Sequence, residues 1–213
     1  MLPKYENMLF VKRVSFLLLF LGAWGNPVIP GLTDPRIDVK IKYYDIQGKT
    51  AQEAQRQMRL KTPIRNDGRA FDANTTWYVK WDTQWAMKGM TCGIISVTTR
   101  VGIVFTLPKW TDYKKADHKE QEKWDRIFKQ LVEHENGHKD IAVGSAKEIE
   151  REVMRMESRK DCVTLKHDSN RLGQTIIEKY GQLARDYDAA TDHGRNQRAY
   201  DTWKESTPGT NAK

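Results

Sequence analysis

Apolar and polar residues alternate along three parts of the chain, and this period of two is the pattern of a half-buried β-strand. The first alternation covers residues 37–43 and the second covers residues 77–81. The third runs from Ile95 to Leu107, as one long strand or as two strands joined near Gly102, and Pro108 should end it. The alternation therefore predicts a small sheet, which we expect to be antiparallel.

Apolar residues at helical spacing predict three helices. Thr50 and Glu53 can cap a helix over residues 51–60, which Pro63 stops. A long helical region covers about residues 117–157. The last helix follows Cys162, carries an apolar stripe as far as Tyr187 and ends near residues 191–194. These elements predict one α+β domain, in which a small antiparallel sheet packs against long helices.

The long helix carries His134-Glu135-Asn136-Gly137-His138, a His-Glu-x-x-His motif, near its middle. Residues four apart lie on the same helix face, so both imidazoles can bind one metal ion. Glu135 lies beside that ion, where a carboxylate can take a proton from metal-bound water. The alternative is a pair of buried core histidines without a metal. Two imidazoles beside a carboxylate would be costly to desolvate in that state, which favours a zinc ion.

A catalytic zinc ion normally has three protein ligands and a water molecule, so a third ligand is required. His193 is the best candidate, because it follows the apolar stripe of a helix that must pack on the core. Glu157, nineteen residues after His138, is the competing candidate. Tyr187 could stabilise a developing oxyanion, although core packing is the simpler interpretation of a stripe residue. Three carboxylates could accept hydrogen bonds from ligand N–H groups: Asp140, Asp188 and Asp192.

The N-terminal region has the layout of a secretory signal over residues 1–25. Lys12 and Arg13 end a basic segment, residues 14–21 form a short apolar core, and small residues follow at a cleavage position. The apolar run is short for a membrane span, although an uncleaved anchor is the alternative. We therefore expect an exported chain, periplasmic or secreted, with one domain over residues 26–213 and a polar tail from about residue 200. In an exported protein, the two cysteines, Cys92 and Cys162, predict a disulfide.

The chain carries a formal net charge of +8, of which the first 25 residues contribute +2. A positive charge favours anionic partners, so association with an anionic cell envelope is consistent with it. The charges are scattered along helices rather than gathered in a basic run, and we expect no nucleic-acid partner. The sequence does not indicate an oligomeric state.

Four features of the chain occur together: the motif at 134–138, the late Thr191-Asp192-His193-Gly194, the Cys92 and Cys162 pair, and Leu107-Pro108-Lys109-Trp110. In this combination the chain resembles a bacterial family that is catalogued as a domain of unknown function and described as predicted secreted zinc-dependent proteases. Residues 43–50 are also similar to the opening strand and turn of that family, and the resemblance spans about residues 37–200. Lys61-Thr62-Pro63 departs from it, since a Gly-Pro stop is expected there. The resemblance implies a zinc hydrolase without a known substrate.

We therefore expect a zincin-like, exported metallopeptidase that hydrolyses peptide bonds of a peptide or protein substrate. One catalytic Zn²⁺ would be bound by His134, His138 and His193, and Glu135 would act as the general base. Two alternatives remain open. One is a zinc amidase acting on cell-wall peptide, and the other is a non-catalytic zinc-containing envelope protein that binds an anionic cell-wall component.

Overall fold

A computed structural model describes residues 34–66 and 68–196, so the predicted signal segment and the polar tail from about residue 200 lie outside the described residues. The chain is an α+β protein, as predicted, and its described ranges contain the three predicted α-helices. Its elements are, in order, β1 (Arg36–Ile46), α1 (Ala51–Lys61), β2 (Arg65–Asn66), β3 (Arg69–Ala70), β4 (Asn74–Lys88), β5 (Thr91–Trp110), α2 (His118–Met154) and α3 (Cys162–Thr191). A 3₁₀ turn, Tyr113–Lys115, precedes α2. Within the described ranges, no helix is long and apolar enough to cross a membrane.

The main sheet is mixed, so the prediction of an antiparallel sheet is wrong for β1. Its strand order is β1-β5-β4, with β5 antiparallel to β4 and parallel to β1. The end of β1 and the start of β4 both lie near the end of β5, because Ile46 pairs with Trp110 and Asn74 with Thr106. A tight turn at Gly89 then reverses the chain from β4 into β5, which therefore runs beside β1 in the same direction.

The strand predicted from Ile95 to Leu107 is one continuous strand, and it extends past Pro108 to Trp110. Gly102 does not divide it. Tyr78 stands opposite Gly102 in the register, and a Cβ at this position would come closer than 3.0 Å to the tyrosine ring. Glycine therefore lets the Tyr78 side chain cross the neighbouring strand.

The helices begin where the sequence predicts, and each has a side-chain cap. The side chains of Thr50, Asp117 and Asp161 accept hydrogen bonds from backbone N–H groups in the first turns of α1, α2 and α3. The predicted disulfide joins Cys92 at the start of β5 to Cys162 at the start of α3, with the two Cα atoms 5.1 Å apart. The disulfide thereby fixes the start of α3 relative to the sheet.

The core lies between β5 and the long helix α2. Val101, Ile103, Phe105 and Leu107 alternate along β5 and form one buried cluster with Ala142 and Ala146 of α2. The two alanines allow a close approach of the helix to the sheet. Further along, Ile141 and Ile149 of α2 pack with Tyr180 and Tyr187 of α3. This packing brings the middle of α2 against the last turns of α3.

Candidate metal centre

Three side chains from two helices meet in the space between α2 and α3. His134 Nε2 lies 3.2 Å from Asp188 Oδ1, and His138 Nε2 lies 3.0 Å from the same oxygen. One ligand atom from each residue lies within 4.8 Å of the other two, so this group could hold a metal ion. Both histidines are buried on α2, whereas the Asp188 side chain on α3 is 30% exposed. The group is therefore open to solvent on the aspartate side.

The hydrogen bond at the other ring nitrogen of His134, Nδ1, determines which tautomer the ring adopts. Thr191 Oγ1 donates its hydrogen to the Tyr187 carbonyl at 2.8 Å and lies 3.3 Å from His134 Nδ1. A hydroxyl has one hydrogen to donate, so Thr191 must accept from His134, and Nδ1 carries the hydrogen. In the neutral ring the lone pair is then on Nε2, which is the atom directed at Asp188.

This arrangement has the chemistry of a cation site. A neutral His134 presents a lone pair to a carboxylate oxygen at 3.2 Å, and two acceptors at that distance repel each other unless a positive charge lies between them. Ligands at about 2.0–2.2 Å from a tetrahedral zinc ion are about 3.3–3.6 Å from one another, and the two histidine–aspartate separations of 3.2 and 3.0 Å are slightly shorter than this. The pKa of Asp188 lies well below its ordinary value: burial raises it, but hydrogen bonds and positive charge from imidazoles protonated at Nε2 lower it more, and a cation bound at the same place would act in the same direction.

Tyr187 holds both imidazoles from the α3 side. Its fully buried ring stacks on His134, with 4.8 Å between centroids, and meets His138 edge-on at 5.0 Å. Its hydroxyl donates to the His134 carbonyl at 3.0 Å. A Cβ at Gly137 would come closer than 3.0 Å to the Tyr187 ring and hydroxyl, so the glycine of the motif makes room for this tyrosine. Tyr187 is thus a packing residue, in agreement with the simpler interpretation of the stripe.

Glu135 is buried on the sheet side of the same helix. Its Oε2 accepts a hydrogen bond of 2.6 Å from Thr75 Oγ1 on β4. Burial raises the pKa of Glu135, while the Thr75 hydrogen bond and the charges of His138 and His134 oppose the increase. A carboxyl group with a raised pKa beside two histidines has the properties of a proton acceptor.

The predicted third ligand, His193, lies next to the group of three but is not part of it. Its Nδ1 is 3.6 Å from Asp188 Oδ1, and its side chain is 44% exposed. α3 ends at Thr191, and the chain then turns through left-handed conformations, with φ of 47° at Asp192, 51° at His193 and 85° at Gly194. Asp188, one turn before the helix end, therefore faces α2 and occupies the place in the group that we assigned to His193.

Gly194 brings the turn against the site. A Cβ at this position would lie 2.9 Å from His134 Cγ, so a larger residue would press on the imidazole. His193 itself packs edge-on against Phe71, with 5.0 Å between ring centroids. The turn after α3 thus covers one side of His134 and leaves His193 at the rim.

The competing candidate, Glu157, does not reach the group. It is exposed beyond the end of α2, and the sixteen residues from His138 to Met154 alone span about 24 Å of helix. Asp140 and Asp192 were predicted as possible acceptors for ligand N–H groups, but each is exposed and forms an ion pair with a neighbour instead. Asp140 pairs with Lys139, and Asp192 pairs with Arg195.

Sequence reasoning missed the two threonines that orient the site. Thr191 lies four residues after Tyr187, so the helical period that marks Tyr187 as buried also marks Thr191. That signal was available. Thr75 sits on a different element, sixty residues before Glu135, and no spacing in the sequence relates the two.

The fold and the site define an α+β protein in which two buried histidines and a partly exposed aspartate form a group suited to a metal ion. The chain belongs to a bacterial family, because a family model described as "Bacterial protein of unknown function (DUF922)" matches residues 41–194. The matched range contains every residue of the group and of its supporting contacts. No curated protein and no solved structure matches the chain.

Proposed function

We propose that the chain is a zinc-dependent metallopeptidase with a zincin-like site, in which His134, His138 and Asp188 hold the ion. The observation that carries the proposal is the meeting of two Nε2 atoms and one carboxylate oxygen beside a buried glutamate. Two imidazoles and one carboxylate are a ligand set of catalytic zinc in peptidases, with the remaining position left for water. His193 contacts Asp188 and would orient it rather than bind the ion.

The residues around the proposed ion have separate chemical roles. Thr191 and Tyr187 hold His134 in the tautomer and orientation that direct Nε2 at the site. A zinc ion bound there would acidify a water molecule and polarise the scissile carbonyl. Glu135 takes the proton and passes it to the leaving amine, and Thr75 keeps its carboxylate in place. The partly exposed Asp188 and His193 mark the side from which a substrate approaches.

The metal assignment is tested with two carboxylate variants and one histidine variant of the mature chain. Asp188→Ala should be largely metal-free at zinc concentrations that saturate the parent, because it loses one of three ligands. Glu157→Ala is the matched control and should bind zinc normally, since Glu157 lies far along the chain from the site. His193→Ala should retain zinc with an affinity about 10–100-fold weaker. Metal content is measured by mass spectrometry of the purified protein.

The outcomes separate the two candidate ligands. If His193→Ala is metal-free while Asp188→Ala keeps its zinc, His193 is the ligand, as the sequence indicated. If the parent binds no zinc at all, the proposed function is wrong.

Catalysis is tested separately with Glu135→Gln, which keeps shape and hydrogen bonding but cannot accept a proton at neutral pH. Zinc should stay stoichiometric, while peptide hydrolysis falls by at least about a hundredfold. Unchanged hydrolysis would remove Glu135 from the mechanism. The same assay with cell-wall peptides decides between a peptidase and an amidase, and a parent that binds zinc but hydrolyses neither class would support the non-catalytic envelope protein.

The proposal includes export, which the Cys92–Cys162 disulfide supports, because disulfides persist in oxidising compartments. Mass spectrometry of the exported fraction should find a new N-terminus near Asn26. Protein recovered there with two alkylatable thiols would contradict this part of the proposal.

A further inference from the structure

The outer strand β1 carries a row of apolar side chains that the described helices leave about half exposed. Ile37, Val39, Ile41 and Tyr43 are 44%, 49%, 52% and 54% exposed. Their register partners on β5, from Val101 to Leu107, are buried beneath α2. The row therefore lies on the helical side of the sheet, just beyond the area that α2 covers.

The backbone of β1 is also available. In the described part of the chain, β1 pairs with β5 on one side only, so its other side presents unpaired N–H and C=O groups. Natural sheets protect such edges with short strands, bulges, prolines or charged side chains. β1 has eleven residues, a regular register and no proline, and its charges lie on the face opposite the apolar row, where they select the charge of a partner. A long, regular edge of this kind can accept an additional strand.

The apolar row ends at an open groove of about 540 Å³. Tyr43 lines the groove together with four further aromatic residues, namely Trp110, Tyr113, Trp124 and Phe128. The two tryptophans form a buried floor, packed edge-to-face with 5.7 Å between centroids. Concave sites with aromatic walls of this size hold a bulky apolar group. The groove thus extends the binding surface of the edge strand.

The charges around the edge favour an acidic partner. The other face of β1 carries Arg36, Asp38, Lys40 and Lys42, and Asp38 is shared by Arg36 and Arg100 at 3.6 Å each. Lys40 and Lys42 have no carboxylate within 4.0 Å among the described residues. Lys109 and Lys114 line the groove, whereas its carboxylate, that of Asp125, accepts a hydrogen bond of 3.0 Å from Tyr113.

A second copy of the chain fits this edge less well than an acidic segment. Two copies joined by β1 through a twofold axis would pair antiparallel. In the register that overlaps all four apolar residues, Lys40 lies opposite the same lysine of the other copy, which destabilises a strand pair. Asp38 then faces Lys42, so each copy offers one carboxylate to two lysines, whereas an acidic segment can offer one carboxylate to each lysine.

We propose that β1 and the aromatic groove form one binding site for an extended polypeptide segment of another protein. In this segment apolar and acidic side chains alternate, and an aromatic side chain lies at the end that reaches the groove. Main-chain hydrogen bonds join the segment to β1. Its apolar side chains lie beside the apolar row of β1, on one face of the sheet, and its acidic side chains lie beside Lys40 and Lys42, on the other face. The site lies at the opposite edge of the sheet from β4, which carries Thr75, and it does not depend on the proposed activity.

The test measures binding of a fluorescent peptide in which glutamate and valine alternate over about eight residues, with a phenylalanine at each end. All proteins carry Glu135→Gln so that the probe is not hydrolysed. Ile41→Glu should weaken binding by at least about tenfold, since it places a charge in the apolar row. Ile95→Glu is the matched control, because Ile95 is 54% exposed on β5, and it should change binding by less than about twofold.

Two further peptides test the mode of binding. Replacing glutamate by lysine should weaken binding at least about tenfold. Of two peptides N-methylated on alternate sets of amides, one should lose binding, because only one set of N–H groups faces β1.

Any of four results would overturn the proposal. The first is no saturable binding below about 1 mM, and the second is equal weakening by Ile41→Glu and Ile95→Glu. The third is a dimer in sedimentation that Ile41→Glu dissociates, since a second copy would then occupy the edge. The fourth is binding that requires removal of residues 26–33, since the chain itself would then be the occupant.

Discussion

Replacing Gly137 by alanine tests the geometry of the site most directly. A Cβ there would come closer than 3.0 Å to the Tyr187 ring and hydroxyl, whereas carbon atoms in contact are normally about 3.5–4.0 Å apart. Tyr187 is completely buried and cannot move into solvent. The ring must therefore shift, and it must break its hydrogen bond to the His134 carbonyl or lose its stacking on that imidazole.

The expected magnitude follows from three contributions. Overpacking a close-packed core costs about 1–3 kcal/mol, and loss of the tyrosine hydrogen bond costs about 0.5–1.5 kcal/mol. Alanine is favoured over glycine in a helix by about 1 kcal/mol, which offsets part of this cost. We therefore expect Gly137→Ala to lower the free energy of unfolding by about 1–3 kcal/mol. Zinc affinity should also fall by about 10–100-fold, because Tyr187 no longer orients the ligands.

Gly181→Ala is the matched control. Gly181 lies inside α3, where a new Cβ would have its nearest contact at 3.8 Å, an ordinary van der Waals distance. This variant should gain up to about 1 kcal/mol from helix propensity. Urea unfolding is measured in the presence of a chelator, so that metal binding does not contribute, and zinc affinity is measured by competition. If both variants unfold at the same urea concentration and bind zinc like the parent, Tyr187 does not support the site as described.

Three further substitutions test separate features. Replacing Cys92 and Cys162 by serine should lower the free energy of unfolding in urea by about 4 kcal/mol, because the disulfide closes a loop of 70 residues. Thr191→Val removes the acceptor for the His134 ring hydrogen, so zinc affinity should fall about 10–100-fold in competition titrations. Burial raises the pKa of Glu150 above its ordinary value of 4.5, so the folded chain binds the carboxyl proton more tightly than the unfolded chain does. The free energy of unfolding should therefore fall as the pH rises from 4.5 towards the raised pKa. Glu150→Gln should flatten this part of the plot of stability against pH.

The controls for these variants come from the same chain. Thr175→Val removes an exposed hydroxyl that also bonds to a carbonyl four residues earlier, and it should leave zinc affinity unchanged. Equal effects of the two threonine variants would show that Thr191 acts only on helix stability. If the stability of the parent and of Glu150→Gln depends on pH in the same way, Glu150 is not the titrating group. If the unfolding free energy of the serine double variant lies within about 1 kcal/mol of that of the parent, the loop argument for the disulfide is contradicted.

Alternation of side chains predicted the strands, because it depends only on which face of each strand is buried. It could not predict that β1 runs parallel to β5, since the same alternation serves both directions. The direction is determined by where α1 and the short β2–β3 hairpin return the chain, and this depends on tertiary packing. Pro108 was a misleading stop signal for the same reason, because β5 continues to Trp110 along its pairing with β1.

Part of the metal centre could be predicted from the sequence for a similar reason. His134 and His138 are related by one turn of the same helix, so their proximity is local and visible in the sequence. Asp188 lies fifty residues after His138, and whether it faces the histidines depends on how α3 packs on α2. From the sequence we named Asp188 only as a possible acceptor for ligand N–H groups, and not as a ligand. Gly194 correctly indicated a turn after the helix, but left-handed backbone begins two residues earlier, at Asp192, and moves His193 to the rim.

The helix α3 is attached to the rest of the chain near both of its ends, by a covalent bond at one end and by the candidate metal site at the other. Cys162, its first residue, is covalently bound to the sheet, and Asp188, in its last turns, faces the two histidines of α2. About 39 Å of helix separates these points. A reductant releases the first attachment, and a chelator would release the second if an ion is bound there. A purification buffer that contains both therefore acts on both attachments of α3. Protein prepared in this way would retain α3 only by packing and by hydrogen bonds such as that from Tyr187 to the His134 carbonyl.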